Sequence, residues 1–147
     1  MTQLTLKQSV NSSVELVSES NPLPVKDVGP GRRQWSYEFY ATGALSRQTS
    51  LKTDFPGARF EVVMVEAVFS SAPTTSQNFT LTRNRAAGTT TYDTTLYSVN
   101  PSAGAVTSIV NTWDPPYPLG PGDEVTVAFT NTDARTIGGR IVVREVL

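Results

Sequence analysis

The sequence predicts an all-β, jelly-roll-like β-sandwich of about eight antiparallel strands, preceded by an extended N-terminal arm. Three observations predict it. The chain of 147 residues holds 20 Thr and 14 Ser but only 17 % charged residues, against about 25 % in ordinary domains. Thr favours strands, and Ser with Gly and Pro favours turns. Short apolar–polar alternations recur at spacings of about 8–15 residues. No run of ten or more residues keeps an apolar stripe at helical spacing.

Residues 1–31 form the expected arm. Leu4-Thr5-Leu6-Lys7 and Val14-Glu15-Leu16 alternate with period two. Asn21-Pro22-Leu23-Pro24 and Gly29-Pro30-Gly31 follow, and their prolines block both helix and central strand. The alternative is that these residues make the first hairpin of the main domain.

Residues 32–147 are expected to be the sandwich. Trp35, Tyr37 and Phe39 alternate with Ser36 and Glu38, the pattern of a half-buried strand. Phe60 to Phe69 is nearly continuous apolar sequence rich in β-branched residues. It reads as a strand buried on both faces. Phe79 and Leu81 alternate with threonines. Tyr92 to Ser98 and Ala105 to Thr112 are weaker strands, parted by Asn100-Pro101 and Gly104. Val125, Val127 and Phe129 line one face after the turn Gly120-Pro121-Gly122-Asp123. Gly138-Gly139 opens a last strand, Arg140 to Val146. The longer connections favour Greek-key crossings over a simple meander.

Composition also excludes chemistry. Cysteine and histidine are both absent, which removes the commonest general base, metal ligand and strong nucleophile. Lys7, Lys26 and Lys52 sit in no Ser–Lys motif. Glu61 and Glu66, five positions apart on one strand, are expected on opposite faces and so cannot act as a glycosidase pair. Asp93, Asp114, Asp123 and Asp133 offer oxygen to calcium, yet no Asp-x-Asp-x-Asp spacing occurs; turn capping accounts for them equally well. The Gly-Pro-Gly turns lack a phosphate loop's Lys-Ser/Thr pair. No enzyme, cofactor or metal is therefore expected.

The net charge of −1 and the absence of a basic patch argue against nucleic acid. No apolar run is long enough for a membrane helix. Met1 to Thr5 lacks the features of a secretory signal. Among Trp35, Trp113, Tyr92, Tyr97 and Tyr117, stacking on a sugar is one use. Trp35 favours the core, being in an alternating strand. Trp113-Asp114-Pro115-Pro116-Tyr117-Pro118 reads as a rigid aromatic–proline loop. Its Trp113 and Tyr117 serve either as a contact surface or as a cover over the end of the sandwich.

Tyr92 to Pro101, Trp113, Pro118 to Asp123, Val125 to Asp133 and Arg135-Thr136 together carry a resemblance. They resemble small β-sandwich proteins of tailed bacteriophages, in particular the capsid decoration (auxiliary) proteins of thermophilic long-tailed phages. The resemblance covers about a third of the chain. It implies a virion protein on the capsid exterior, commonly a homotrimer, that clamps the major capsid protein with a terminal arm. Leu4, Leu6, Val14 and Leu16 would anchor that arm by adding to a neighbour's sheet edge. Pro22, Pro24 and Pro30 would stiffen it, and Leu23, Trp113 and Tyr117 would add contact surface. The rival expectation is a carbohydrate-binding or adhesion module using Trp113 and Tyr117.

Overall fold

Eight strands fold into two four-stranded antiparallel sheets, as a computed structural model that describes residues 33–86, 88 and 90–146 shows. The strands are β1 (Gln34–Ala41), β2 (Leu45–Gln48), β3 (Arg59–Phe69), β4 (Phe79–Asn84), β5 (Thr94–Val99), β6 (Ser108–Pro118), β7 (Glu124–Phe129) and β8 (Ile137–Val146). A four-residue helix, α1 (Leu51–Asp54), follows β2, and 3-10 turns cover Thr90–Tyr92 and Pro101–Gly104. The arm expected over residues 1–31 lies outside the described residues, with Leu4, Leu6, Val14, Leu16, Pro22, Leu23 and Pro24.

The sheets run β1-β8-β3-β6 and β2-β7-β4-β5. Their pairings are nested: β4 with β5, β3 with β6, β2 with β7 and β1 with β8. The chain is thus a long two-stranded ribbon, folded at the β4–β5 connection and wound on itself. Winding adds the pairs β3–β8 and β4–β7. This is the jelly roll that the sequence predicts.

Alternation decides which side chains reach the core. Val62, Val65, Ala67, Phe79, Leu81, Val125, Val127, Ile137, Ile141 and Val143 are completely buried between the sheets. Two aromatic groups fill the ends of that layer. Trp35, Phe55 and Phe60 meet with ring centroids 4.6–5.6 Å apart. Phe39, Phe79, Phe129 and Phe69 form a chain at 5.5–6.5 Å. Such pairs add about 0.5–1.5 kcal/mol each beyond area burial. Gly139 is required here. A Cβ on it would lie 2.1 Å from the Glu66 carbonyl oxygen and 2.6 Å from the Phe39 ring.

Three expectations need correction. First, β3 is buried on one face only, with Val68 58 % exposed on the other. Second, its register shifts between Val62 and Met64. That bulge adds one residue to the count, so Glu61 and Glu66 share the outer face, opposite Arg144 and Arg140. Third, Trp113–Pro118 is not a loop but the second half of β6. Proline is tolerated there because β6 is an edge strand. Between Val62↔Tyr117 and Met64↔Thr112 the ladder skips over Trp113–Pro116, a wide bulge that contains the cis Asp114–Pro115 bond.

Candidate functional site

Antiparallel winding sends every second connection to the same end of the sandwich. The connections after β2, β4 and β6 (described residues 49–58, 85–86, 88, 90–93 and 119–123) gather at one end; those after β1, β3, β5 and β7 gather at the other. The first end carries an open cleft of about 530 Å³, lined by Gln48, Lys52, Asn84, Arg85, Asp93 and Glu124 among others. A second cleft of about 330 Å³ lies against Arg85, Ala86, Tyr92, Gly120, Pro121 and Asp123.

Carboxylates organise this end. Asp123 closes the β6–β7 turn, where Pro121 and a left-handed Gly122 (φ 80°) fit a type II geometry. Its side chain is 3 % exposed. It accepts from Arg83 Nε at 2.7 Å, Gly120 N at 2.8 Å and Ala86 N at 2.9 Å. A second Arg83 nitrogen sits 2.6 Å away. Burial pushes the Asp123 carboxyl up, but the two amides and the Arg83 guanidinium outweigh it and hold it below the usual carboxylate range. One turn and the loop after β4 are thereby tied to strand β4.

Glu124 does the same for α1. The N-cap Ser50 makes no side-chain cap. Instead the Glu124 carboxylate accepts from Leu51 N at 2.9 Å, Lys52 N at 2.8 Å and Thr49 Oγ1 at 2.6 Å. Asp93 accepts from Arg85 N at 3.0 Å and Asn84 Nδ2 at 3.1 Å. Tyr37 donates its hydroxyl to Asp54 at 3.2 Å. Burial, helped by that carboxylate, pushes the phenol up to about 12.

The opposite end is pinned by Asp133, which accepts from Thr74 N at 2.6 Å, Thr75 N at 2.8 Å and both threonine hydroxyls. The Thr75 hydroxyl and the two amides bring its carboxyl down to about 2. Buried Asn131 bridges the Gly43 and Arg135 carbonyls, both at 2.8 Å. Asp93, Asp123 and Asp133 therefore act as loop caps. Asp114 lies in the β6 bulge, apart from them. Among the described residues no three acidic groups converge on one point.

The outer face of the β1-β8-β3-β6 sheet is a third surface. Arg140 pairs with Glu66, and Arg144 pairs with Glu61 at 2.6 Å. Beside these ion pairs Tyr40 (72 %), Val68 and Val110 stand exposed. Gly138 leaves a groove of about 280 Å³ next to Val68.

Of the site residues that the sequence singled out, Trp113 and Tyr117 are described. Both are half-buried on β6 and pack against the core. Tyr117 accepts a bond from Arg83 at 3.4 Å, and the Arg83 guanidinium lies 5.9 Å from its ring centroid. The tyrosine at the open end is instead Tyr92, 58 % exposed beside Arg85. Arg85 and Lys52 carried no signal in the sequence, because neither belongs to a spaced motif.

No family model and no curated protein matches the chain. Among solved structures it is similar to a chain of the virus-like particle of extra small virus from the giant freshwater prawn Macrobrachium rosenbergii. The two share 14 % identity over 92 % of each chain, with a TM-score of 0.34. A likeness at that level carries nothing about what this chain does.

Proposed function

We propose that the chain is a structural protein of a virion, which decorates and stabilises the outside of a capsid as a homotrimer bridging subunits of the major capsid protein. The observation that carries this reading is the nested winding of eight strands into a jelly roll, an architecture used by viral capsid domains and also by lectins. Fold alone hosts many functions. The resemblance of the segment from Tyr92 to Val146 to phage decoration proteins selects among them.

In this reading the protein works by burying surface rather than by chemistry. Leu4, Leu6, Val14 and Leu16 enter a neighbour's sheet edge as an added strand, with backbone hydrogen bonds giving affinity. Pro22, Pro24 and Pro30 lower the entropy lost when that arm is ordered, and Leu23 adds to its contact surface. Tyr40, Val68 and Val110 supply apolar contact on the outer sheet face, and Trp113 and Tyr117 lie along its β6 edge. A stable contact of this kind needs more than about 1,000 Å² of buried surface.

The test is a deletion of residues 1–20. The shortened protein is expected to fold, because the core lies within β1 to β8, and to lose its binding to isolated capsids in a sedimentation assay. Undiminished binding would reject the arm mechanism. Failure of the full chain to bind capsids would reject the reading as a whole.

A further inference from the structure

The two clefts at the β2–β3, β4–β5 and β6–β7 end share Arg85 and Ala86, so they adjoin across those residues. Their acids are already satisfied. Asp123 is held by Arg83 and two amides, Glu124 by two amides and a hydroxyl, and Asp93 by an amide and Asn84. Their bases are not. Among the described residues the Lys52 ammonium has no partner. Arg85 comes only within 4.0 Å of Asp123, a carboxylate that Arg83 already grips with two nitrogens. Lys52 and Arg85 are thus the charged groups of the clefts available to grip a ligand, against Asp93, Asp123 and Glu124, whose oxygens are already engaged.

The rest of the lining narrows the ligand class. Tyr92, 58 % exposed, lines the smaller cleft with Arg85 and Pro121. Its ring is a flat apolar surface next to a guanidinium. The larger cleft presents amides and hydroxyls from Gln48, Asn84, Thr53 and Thr90. These groups suit a ligand with many hydroxyls. A flat platform, a charged fork and a polar wall together match a sugar that bears an anionic group.

We propose that this end of the sandwich binds an acidic saccharide, with the sugar ring against Tyr92 and its carboxylate or sulfate on Arg85 and Lys52. The site stands independently of the virion role, and differs from the Trp113–Tyr117 surface, whose rings pack on the core.

The full chain is titrated by calorimetry with trigalacturonate, a sulfated heparin disaccharide, neutral cellotriose and a hexaglutamate peptide. At least one acidic sugar is expected to bind below millimolar Kd, weakening as salt rises. Arg85→Ala and Tyr92→Ala are each expected to weaken it about tenfold, and Lys52→Ala by less. Ser71→Ala, in the connection after β3 at the opposite end, is expected to leave it unchanged. All four side chains are exposed, so the variants should fold, which a melting curve checks. Whichever acidic sugar binds tighter identifies the anion. The proposal is overturned if neither acidic sugar binds at about 10 mM. It is also overturned if cellotriose or the peptide binds as well, or if Tyr92→Ala binds like the parent, which would leave a site for charge alone.

Discussion

The two ends of the sandwich solve the same problem with different backbones. Each must hold long connections against the ends of the sheets, and each uses carboxylates that accept backbone N–H groups. At the cleft end the left-handed positions are Gly57, Gly88 and Gly122. At the opposite end they are Ala105, Asn131 and Ala134. A left-handed conformation costs a non-glycine residue roughly 1–2 kcal/mol. The cleft end is therefore relaxed in its backbone and is held by the buried Arg83–Asp123 pair together with the Glu124 and Asp93 caps. The opposite end carries backbone strain and offsets it with half-buried Asp133 and buried Asn131. The teaching is that a loop can be fixed either by residues that suit its shape or by side chains that overrule it.

The largest effect should come from removing the ion pair. Arg83→Ala leaves buried Asp123 with Arg85, 4.0 Å away, as its countercharge, and breaking such a buried pair costs about 3 kcal/mol or more. Urea unfolding measures this. A loss below about 1 kcal/mol would mean that the two amides alone satisfy the carboxylate.

A glycine exchange sharpens the contrast in backbone. Gly122→Ala should destabilise by about 1–2 kcal/mol, since the new Cβ also approaches Ala86 Cβ at 3.1 Å. Ala134→Gly, in the mirror-image experiment, should stabilise by up to about 1 kcal/mol. Melting temperatures of the two variants should move in opposite directions; movement in the same direction would dissolve the distinction.

The smallest effect is in pH. The Asp133 carboxyl titrates near 2 in the folded chain against an ordinary 3.8. Its contribution is complete above about 4 and disappears as the pH falls toward 2. The difference in urea midpoint between the parent and Asp133→Asn should therefore shrink over that window. A difference constant from pH 7 to pH 2 would show that the threonine bonds do not depend on the charge.

Strands with strict alternation were legible from the sequence, because one buried face imposes period two. β1 and β7 fall where Trp35-Tyr37-Phe39 and Val125-Val127-Phe129 put them. β2 was missed, since Leu45 is its single buried side chain. The bulge in β3 was invisible because Val63 looks like any other residue of an apolar run. It alone reverses the predicted facing of Glu61 and Glu66. Trp113–Pro118 reads as a loop because prolines signal turns unless the strand lies at an edge, and edges are a property of the whole sheet. The cleft end was unreadable for the same reason. Lys52, Arg85 and Tyr92 converge only through the pairing of β2, β4, β5 and β7. Of these three, Tyr92 alone carries a signal in the sequence, as an aromatic fit for stacking.

The nested ribbon also sets a timetable for synthesis. The β4–β5 hairpin can close as soon as both strands leave the ribosome, and each outer pair must wait for a more distant partner. Gln34 meets Arg144 last, so at ordinary elongation rates the first strand stays unpartnered for on the order of 10 s. During that interval Trp35, Tyr37 and Phe39 are available to any passing chain, and a holding chaperone would find its footing there.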